Sequence, residues 1–435
     1  GQRCSALRVL LVQDDIADNL VDMLVGAMRE LRVGDPADLS TDVGPVIDEE
    51  ARGRLQRHVD YMKQAGTLLH ACKTGQLPDA SYFAPRLYEI DSIGRLQHEV
   101  FGPIVHLVRY PSAELETRAA RINTTGFGLT FGVHSRIEDT VETLAGGIEA
   151  GNIYVNRNII GAVVGVQPFG GHGLSGTGPK AGGPLYLSRL VRATAHAGES
   201  PPPSPEIVGT AAPVPDLDGA VGQFEQARLA WEEVPPGQRR ACLARLRTLA
   251  GGALAGDLGM LESRYRLLSE PIVLPGPTGE TNTLGFHPRG TVAVLADVAT
   301  GLPPVLVMAA ATLLVGNAAL LVGKGGCYPT LMRVRNRLGE AGFPDALSAV
   351  VCCTDDTAME TLLGHVALSA AASRCAALSA RAAAVFAARE SAILPVIDEP
   401  FGPRYLDRFV LERSISNNVT ASGGNTALMS LGETD

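Results

Sequence analysis

The residue of this sequence that could most directly do chemistry is Cys4, in the opening segment GQRCSALRVL. A cysteine acts as a nucleophile when its thiol is accessible, partly ionised and close to groups that stabilise the oxyanion it creates. The backbone N–H of Cys4 could be one oxyanion donor, and the neighbouring Arg3 could bind an anionic substrate. A lone cysteine is more often a packing residue, so the other motifs must decide its role.

Three further motifs follow Cys4 in a fixed order. They are EVFGPIV (99–105), INTTGFGLTFGVHS (122–135) and GNIYVNRNIIGAVVGVQPFGGHGLSGTGPKAGGP (151–184). Together with the opening segment, they resemble the C-terminal, catalytic half of the aldehyde dehydrogenase superfamily, from Gly1 to about Leu190. Within that superfamily, GAVVGVQPFGG and SGTGPKAGGPLYL resemble the glutamate-semialdehyde dehydrogenases, and specifically the bacterial proline utilization A family.

The resemblance implies a nucleophile and part of a cofactor site. Cys4 matches the residue that attacks the aldehyde and carries a thiohemiacetal and then a thioester. Glu99 matches the carboxylate that binds the nicotinamide ribose hydroxyls of NAD, and a carboxylate can accept from two hydroxyl donors at once. Phe101 matches a residue that packs beside the nicotinamide. Without its flanking residues, Glu99 would read as an ordinary surface acid.

The resemblance also implies a substrate site. Phe169 matches an aromatic wall of the aldehyde tunnel, and Ser5, Gly182 and Gly183 match the groups that hold the amino-acid end of the substrate. A Gly-Gly loop exposes backbone N–H groups that can surround a carboxylate. The alternatives are core packing for Phe169 and a plain flexible turn for the glycines. We assign no role to three neighbouring side chains, which are His98, His172 and Lys180.

Several parts of the family's machinery lie upstream of its cysteine: the general-base Glu, an Asn that donates to the oxyanion and the dinucleotide-binding domain. Because the sequence begins three residues before Cys4, we expect it to be a fragment that is inactive alone. The resemblance implies a parent protein that oxidises L-glutamate γ-semialdehyde to L-glutamate with NAD. It also implies an upstream, FAD-dependent proline dehydrogenase domain in the same chain, and a homo-oligomer. Contact of the parent protein with a membrane is compatible with the resemblance.

Two other functions stay open at this point. One is a single-function aldehyde dehydrogenase for another substrate, against which the Gly182-Gly183 loop argues. The other is a non-catalytic assembly module, which would apply if the upstream Glu and Asn were absent.

Local patterns divide the chain into four parts. Apolar spacing predicts a strand at 6–13 and helices at 14–32 and 49–64. We place the catalytic half, with its oligomerisation strands, at 1–196, and a Pro-rich linker at 197–217, where six prolines fall between positions 201 and 215. A long surface loop is the alternative to a linker. A second domain at 218–410 and a tail motif at 411–435 complete the chain.

The second domain alternates strands and helices, which predicts an α/β fold with a parallel sheet. The predicted strands are TVAVLAD, AALLVG and LSAVVCC, and the predicted helices are 220–232, 237–255, 304–314 and 330–340. Gly316-Asn317 and 341–344 resemble the N-terminal half of aldehyde dehydrogenases. VGKGG departs from the family pattern and puts a ribose-binding role for Lys324 in doubt, and HVALSAAASRC lacks the expected glycines.

We therefore expect a degenerate, Rossmann-type aldehyde dehydrogenase-like domain without catalysis, in which Cys352 and Cys353 are packing residues. The tail carries five apolar residues that would otherwise be exposed without use, so we expect it to be ordered. The family resemblance implies that such a tail packs against the catalytic part and helps to close its substrate tunnel. A disordered polar tail is the alternative.

The composition excludes several classes of protein. The net charge is −9 with no basic block, which disfavours nucleic-acid binding. The seven cysteines form no CxxC pair, which argues against disulfides and a zinc site and favours the cytoplasm. The most apolar stretch is broken by prolines and glycines, so no membrane-spanning segment is predicted.

Overall fold

The computed structural model describes residues 1–74, 81–176, 178–191 and 217–420. The chain divides into two compact units, Gly1–Ala162 with Ser416–Asp435, and Val163–Ile415. Residues 197–216 of the expected linker and 421–435 of the expected tail lie outside the described residues. The domain boundaries drawn from the sequence therefore stay predictions.

The first unit contains a small sheet flanked by helices. Its elements are β1 (Val9–Gln13), α1 (Asp14–Glu30), α2 (Glu49–Ala65), β2 (Thr67–Ala71), β3 (Arg86–Glu89), β4 (Ile104–Tyr110), α3 (Leu115–Asn123), β5 (Phe127–Gly128), β6 (Thr130–Val133), α4 (Glu138–Gly147) and β7 (Asn152–Val155). The strand order is β1-β4-β3-β2. Strands β1 and β3 are both parallel to β4, and β2 is antiparallel to β3.

Helices α1 and α2 pack on opposite faces of this sheet. Alternate strand residues point to opposite faces, so Leu107 of β4 packs with Ala17 of α1, whereas Val108 packs with Leu55 and Met62 of α2. Strand β1 begins five residues after Cys4. The sheet therefore fixes the position of the residues that directly follow Cys4.

The second unit is a doubly wound α/β domain preceded by a loop-rich segment. Its elements are β8 (His172–Gly173), α5 (Leu217–Glu232), α6 (Pro236–Ala250), α7 (Gly252–Leu268), β9 (Ile272–Leu274), β10 (Glu280–Pro288), β11 (Thr291–Ala296), α8 (Leu302–Leu314), β12 (Ala318–Lys324), α9 (Tyr328–Glu340), β13 (Ser348–Cys353), α10 (Asp356–Leu363), β14 (Leu368–Ser373), α11 (Ala376–Ala387) and β15 (Val396–Ile397). A last strand, β16 (Val410–Asn418), begins in this unit and runs across the unit boundary.

The parallel sheet has the strand order β13-β12-β11-β14-β15, and every adjacent pair in it is parallel. Helices α6 to α9 contribute to the core on one face, and α10 and α11 to the core on the other. Both faces are covered, so β11 is buried along its whole length. The fold class predicted from the alternation of strands and helices is confirmed.

The largest difference from the predicted helices lies in the second unit. The single helix expected at 237–255 is two helices, α6 and α7, separated at Gly251. Gly251 has φ +63° and Gly252 has φ +54°, and this left-handed backbone ends a right-handed helix.

Across the described ranges, none of the helices combines the length and the apolar character that crossing a bilayer requires. In the same ranges, histidine, cysteine and acidic side chains do not gather into a group that could hold a metal ion.

Candidate functional site

Cys4 lies at the centre of a tight turn just before β1. The amide of Ala6 donates to the carbonyl oxygen of Arg3 at 3.1 Å, which places Cys4 and Ser5 between the two ends of the turn. The Cys4 side chain is exposed, whereas Ser5 is buried. The accessible side chain meets the first structural requirement of a nucleophile. The substrate-binding role of Ser5 stays a prediction.

Arg8 joins this turn to Glu99 and Phe101. Its Nη1 donates to the carbonyl oxygen of Gly1 at 2.7 Å, and its Nη2 donates to that of Arg3 at 2.9 Å. Its Nε lies 3.6 Å from Glu99 Oε1, which is an ion-pair distance. The guanidinium carbon lies 4.8 Å from the centre of the Phe101 ring, within the range of a cation–π contact. Arg8 therefore contacts two predicted site residues and the backbone of the turn that carries Cys4, although no sequence motif pointed to it.

A second contact holds the same two segments together. A Cβ atom placed on Gly1 would lie 2.4 Å from the carbonyl oxygen of Gly102 and 2.6 Å from Cα of Pro103. Real Cβ atoms do not approach backbone so closely, so the backbone around Cys4 can pack directly on the turn that follows Phe101 only because this position is glycine.

His106 fixes the start of β1 from the neighbouring strand. Its backbone N–H and its ring Nδ1 lie 3.0 and 3.1 Å from the carbonyl oxygen of Arg8. Since a carbonyl only accepts, Nδ1 carries the proton, and Nε2 accepts from Nε2 of His58 at 2.8 Å. Burial lowers the pKa of His106 to about 4, which keeps the ring neutral near pH 7.

The second unit brings together Phe169, Gly182 and Gly183. The backbones of Phe169 and Ala181 exchange two hydrogen bonds of 2.9 Å each. Gly182 has φ +68°, and its Cβ would lie 3.2 Å from Cα of Val164. The amide of Gly183 donates to the carbonyl oxygen of Lys180 at 3.3 Å. The paired glycines thus form a defined turn beside Phe169.

Buried polar side chains hold this loop within the second unit. Lys180, which is 2% exposed, donates from Nζ to the carbonyl oxygen of Gly170 at 2.6 Å. Nε2 of His172 donates to the carbonyl oxygen of Glu412 at 3.0 Å. The hydroxyl of Ser414 donates to the carbonyl oxygen of Pro168 at 2.7 Å. The sequence patterns assigned no role to these three anchors, and the partners of His172 and Ser414 lie more than 200 positions away in the chain.

Lys180 and Glu412 have opposite charges and share one buried environment. Burial lowers the pKa of Lys180 to about 7, with Arg413 adding to the shift and Glu412 opposing it. Burial raises the pKa of Glu412, while Arg189 and Lys180 oppose that shift. Both groups are therefore displaced towards their neutral forms.

The remaining cysteines differ from Cys4 in environment. All seven cysteines fall within the described residues and are free thiols. Burial is the main cause that raises the pKa of Cys327 and of Cys353 to about 11, which suits packing rather than nucleophilic attack. Lys324 is ion-paired to Asp356 at 2.5 Å. It lines a cavity of about 220 Å³ at the carboxyl edge of the parallel sheet.

Comparison with known proteins gives a consistent family. Residues 1–195 match the model of the aldehyde dehydrogenase family. Bifunctional protein PutA of Salmonella typhimurium is 39% identical over 459 residues, which cover 99% of this chain and 31% of that protein. The 1-pyrroline-5-carboxylate dehydrogenase of Geobacillus sp. (strain WCH70) is 38% identical over 192 residues, which cover 43% of this chain and 36% of that protein. The chain thus spans about a third of the length of these relatives.

A solved structure gives the same fold over nearly the whole chain. Proline Utilization A from Corynebacterium freiburgense superimposes with a TM-score of 0.59 at 22% identity, over 96% of this chain and 36% of that one. At this identity the likeness concerns the fold alone. The family resemblance drawn from the sequence motifs is confirmed.

Proposed function

Since residues 1–195 form a segment of the aldehyde dehydrogenase family, we propose that this chain is part of a proline-catabolic enzyme that oxidises L-glutamate γ-semialdehyde to L-glutamate with NAD. The observation that carries the proposal is the exposed Cys4 in a turn that a single arginine joins to Glu99 and Phe101. The names of the relatives, PutA and 1-pyrroline-5-carboxylate dehydrogenase, supply the substrate.

The thiolate of Cys4 adds to the aldehyde carbon and forms a thiohemiacetal. NAD, when bound, supplies the acceptor for the hydride that leaves this carbon. The resulting Cys4 thioester is then hydrolysed by water, which releases L-glutamate and restores the thiol. Ser5, Gly182 and Gly183 would hold the amino-acid end of the substrate, and Phe169 would line its path.

Glu99 and Phe101 fit the cofactor role proposed for them. The Glu99 side chain is 40% exposed while one of its oxygens faces Arg8, so the carboxylate can still accept from two ribose hydroxyls. Phe101 is 41% exposed, which leaves much of its surface available to a nicotinamide ring. The general base, the second oxyanion donor and most of the NAD site would come from residues outside this sequence, and we propose that the chain alone is inactive.

The relatives extend well beyond this chain, and one of them is named bifunctional. We therefore propose a longer parent in which an FAD-dependent proline dehydrogenase domain supplies the semialdehyde, and in which the chain assembles as a homo-oligomer. The free cysteines support a cytoplasmic location. The net charge of −9 gives no reason to propose a nucleic-acid partner for this segment.

The test uses a protein that contains these residues together with the upstream part present in the relatives. NADH absorbance is followed with glutamate γ-semialdehyde and, for comparison, an unrelated aliphatic aldehyde. We expect strong preference for the semialdehyde, and loss of NADH formation in Cys4→Ala with proline oxidation intact. Cys375→Ser, which changes the one half-buried cysteine, is the control and should leave NADH formation unchanged.

Each alternative outcome has a definite meaning. Equal or reversed preference would keep the aldehyde dehydrogenase chemistry and discard the proline pathway. NADH formation that survives Cys4→Ala would remove the nucleophile role. The absence of NADH with either aldehyde would favour a non-catalytic assembly module.

A further inference from the structure

We propose that Arg8 is a positioning residue that sets the nucleophile turn and the cofactor-contacting pair Glu99 and Phe101 in register with each other. This inference rests on the proposed function, because it concerns how the same site is assembled. Arg8 itself is not proposed to touch the substrate.

The first observation is the geometry of the guanidinium. An arginine presents five N–H donors in a rigid plane, and Arg8 uses two of its three nitrogens on carbonyl oxygens that precede Cys4. One of these carbonyls, that of Arg3, also closes the turn by accepting from Ala6. Arg8 therefore holds the backbone from which the thiol projects. The two carbonyls that it contacts lie before the start of β1, so pairing within the sheet does not hold them.

The second observation is the other side of the same plane. Nε faces Glu99 at 3.6 Å, and the ring of Phe101 lies 4.8 Å from the guanidinium carbon. These two residues come from the segment that leads into β4, and they lie 95 and 97 positions after Cys4 in the chain. Since β4 and β1 are adjacent parallel strands, Arg8 bridges the two segments just where each enters the sheet.

The third observation is burial. Only 16% of the Arg8 side chain is exposed, and burial lowers the pKa of its guanidinium while the Glu99 carboxylate opposes that shift. A partly buried cation with fixed partners on several sides has little freedom to move. Its position is therefore a constraint that both segments share, as a mobile surface arginine could not provide.

The charge alone is not sufficient for this role. A lysine at position 8 would keep a positive charge but would offer one compact ammonium in place of a planar fork. It could not reach two carbonyls, face Glu99 and stack on Phe101 at the same time. The inference therefore predicts different activities for arginine and lysine at position 8, whereas a requirement for positive charge alone predicts the same activity for both.

The test compares Arg8→Lys and Arg8→Ala in the protein extended by the upstream part. The control is Arg29→Ala, which removes an exposed arginine at the end of α1 in the same unit. We expect a fall in kcat on the order of 100-fold, because a misplaced nucleophile reacts far more slowly than an aligned one. We expect the dissociation constant of NAD to rise about tenfold, as Glu99 loses a charged neighbour, and the KM for the semialdehyde to change little.

Two further readouts test the position of the cation, and the first of them does not depend on turnover. Amide hydrogen exchange without NAD should accelerate together at 1–6 and at 99–103 in both Arg8 variants, and should be unchanged in Arg29→Ala. Guanidinium ions at low millimolar concentration should partly restore kcat in Arg8→Ala, whereas the same concentration of sodium chloride should not. Rescue of this kind would show that the planar cation acts at its site.

Several results would overturn the inference. Wild-type kcat and NAD binding in both variants would do so, as would full activity in Arg8→Lys, which would assign the effect to charge alone. If Arg8→Ala does not fold, Arg8→Lys carries the test, and loss of folding in both would make Arg8 a purely structural residue. If the wild type itself does not oxidise the semialdehyde, the proposed function fails, and NAD binding and hydrogen exchange still decide the role of Arg8.

Discussion

Lys180 offers a prediction whose size can be worked from the structure. The side chain is 2% exposed and donates to the carbonyl oxygen of Gly170 at 2.6 Å, in the loop that carries Phe169 and the paired glycines. Burial lowers its pKa from 10.5 to about 7. The perturbation is Lys180→Met, which keeps the length of the side chain and removes its titration.

The sign follows from the two pKa values. Between about pH 7 and the unfolded value of 10.5, the unfolded chain binds more protons at this lysine than the folded chain does. The stability that the neutral lysine gives is therefore complete above 10.5 and is lost as the pH falls towards 7. Because the folded group is half protonated near its pKa, the free energy of unfolding should rise by about 2 kcal/mol from about pH 7 to pH 9.

The assay is urea unfolding at several pH values across that range, followed by fluorescence. Trp231 is the single tryptophan of the chain and is buried in the same unit as Lys180, so it reports the relevant transition. The quantity of interest is the difference between wild type and Lys180→Met, in which the titrating groups that do not interact with Lys180 cancel. The control is Leu267→Met, which changes an exposed apolar residue in that unit; it removes no titrating group, so its difference from wild type should not depend on pH.

The reasoning would be refuted by a wild-type minus Lys180→Met difference that stays constant across the range. Such a result would mean that Lys180 remains charged in the folded protein because Glu412 compensates for burial. A difference that shrinks with rising pH would contradict the sign itself.

Three further perturbations have expected results. Gly182→Ala should raise the KM for the semialdehyde and lower the free energy of unfolding by about 1–2 kcal/mol, because φ is +68° and the new Cβ would lie 3.2 Å from a backbone carbon. Steady-state kinetics and urea titration check this. Gly402→Ala, at a position outside helices and strands where the nearest atom lies 4.0 Å from the new Cβ, should change neither value. Asp407→Asn should lower the free energy of unfolding by about 3 kcal/mol, measured by urea titration, because it weakens the paired 2.5 and 2.8 Å contacts between buried Asp407 and half-buried Arg264. The pKa of His106 is about 4 in the folded protein, against an ordinary value of 6.5, so the stability that its neutral ring contributes should be lost as the pH falls from 6.5 towards 4. Hydrogen exchange in β4 should show about 2 kcal/mol less protection near pH 5 than near pH 7.5. An equal loss in His106→Asn would show that another group is responsible.

The parallel sheet of the second unit could be predicted from the sequence because its strands are buried on both faces. Such strands appear as continuous apolar runs, and the helices between them carry their own periodicity. TVAVLAD and AALLVG became β11 and β12 almost residue for residue. The break between α6 and α7 at Gly251 could not be predicted, because a glycine inside an apolar helical pattern is compatible with either a continuous helix or the end of one.

Site residues could be predicted from the sequence only where a local motif indicates their chemical role. Cys4, Glu99 and the paired glycines stand in distinctive local sequences, and the structure brings the Cys4 turn close to Glu99. Arg8 and Lys180 carry no such signal, because an arginine or lysine in a sequence ordinarily indicates a solvated surface, and His106 lies in a strand segment, IVHLVRY, that has no motif of its own. Their roles depend on partners that the fold, and not the local sequence, supplies.

Arg8 and Lys180 solve the same physical problem in two loops. A binding loop outside regular structure leaves backbone carbonyls without the partners that a helix or sheet would give them. Both side chains donate to such carbonyls, and since lysine and arginine have no acceptor atoms, they do not compete for the N–H groups of the loop. Side chains of this kind can therefore fix a loop from its carbonyl side. In the proposed function, an anionic substrate and a developing oxyanion both require amide donors, and the side chains of Arg8 and Lys180 take up none of those donors.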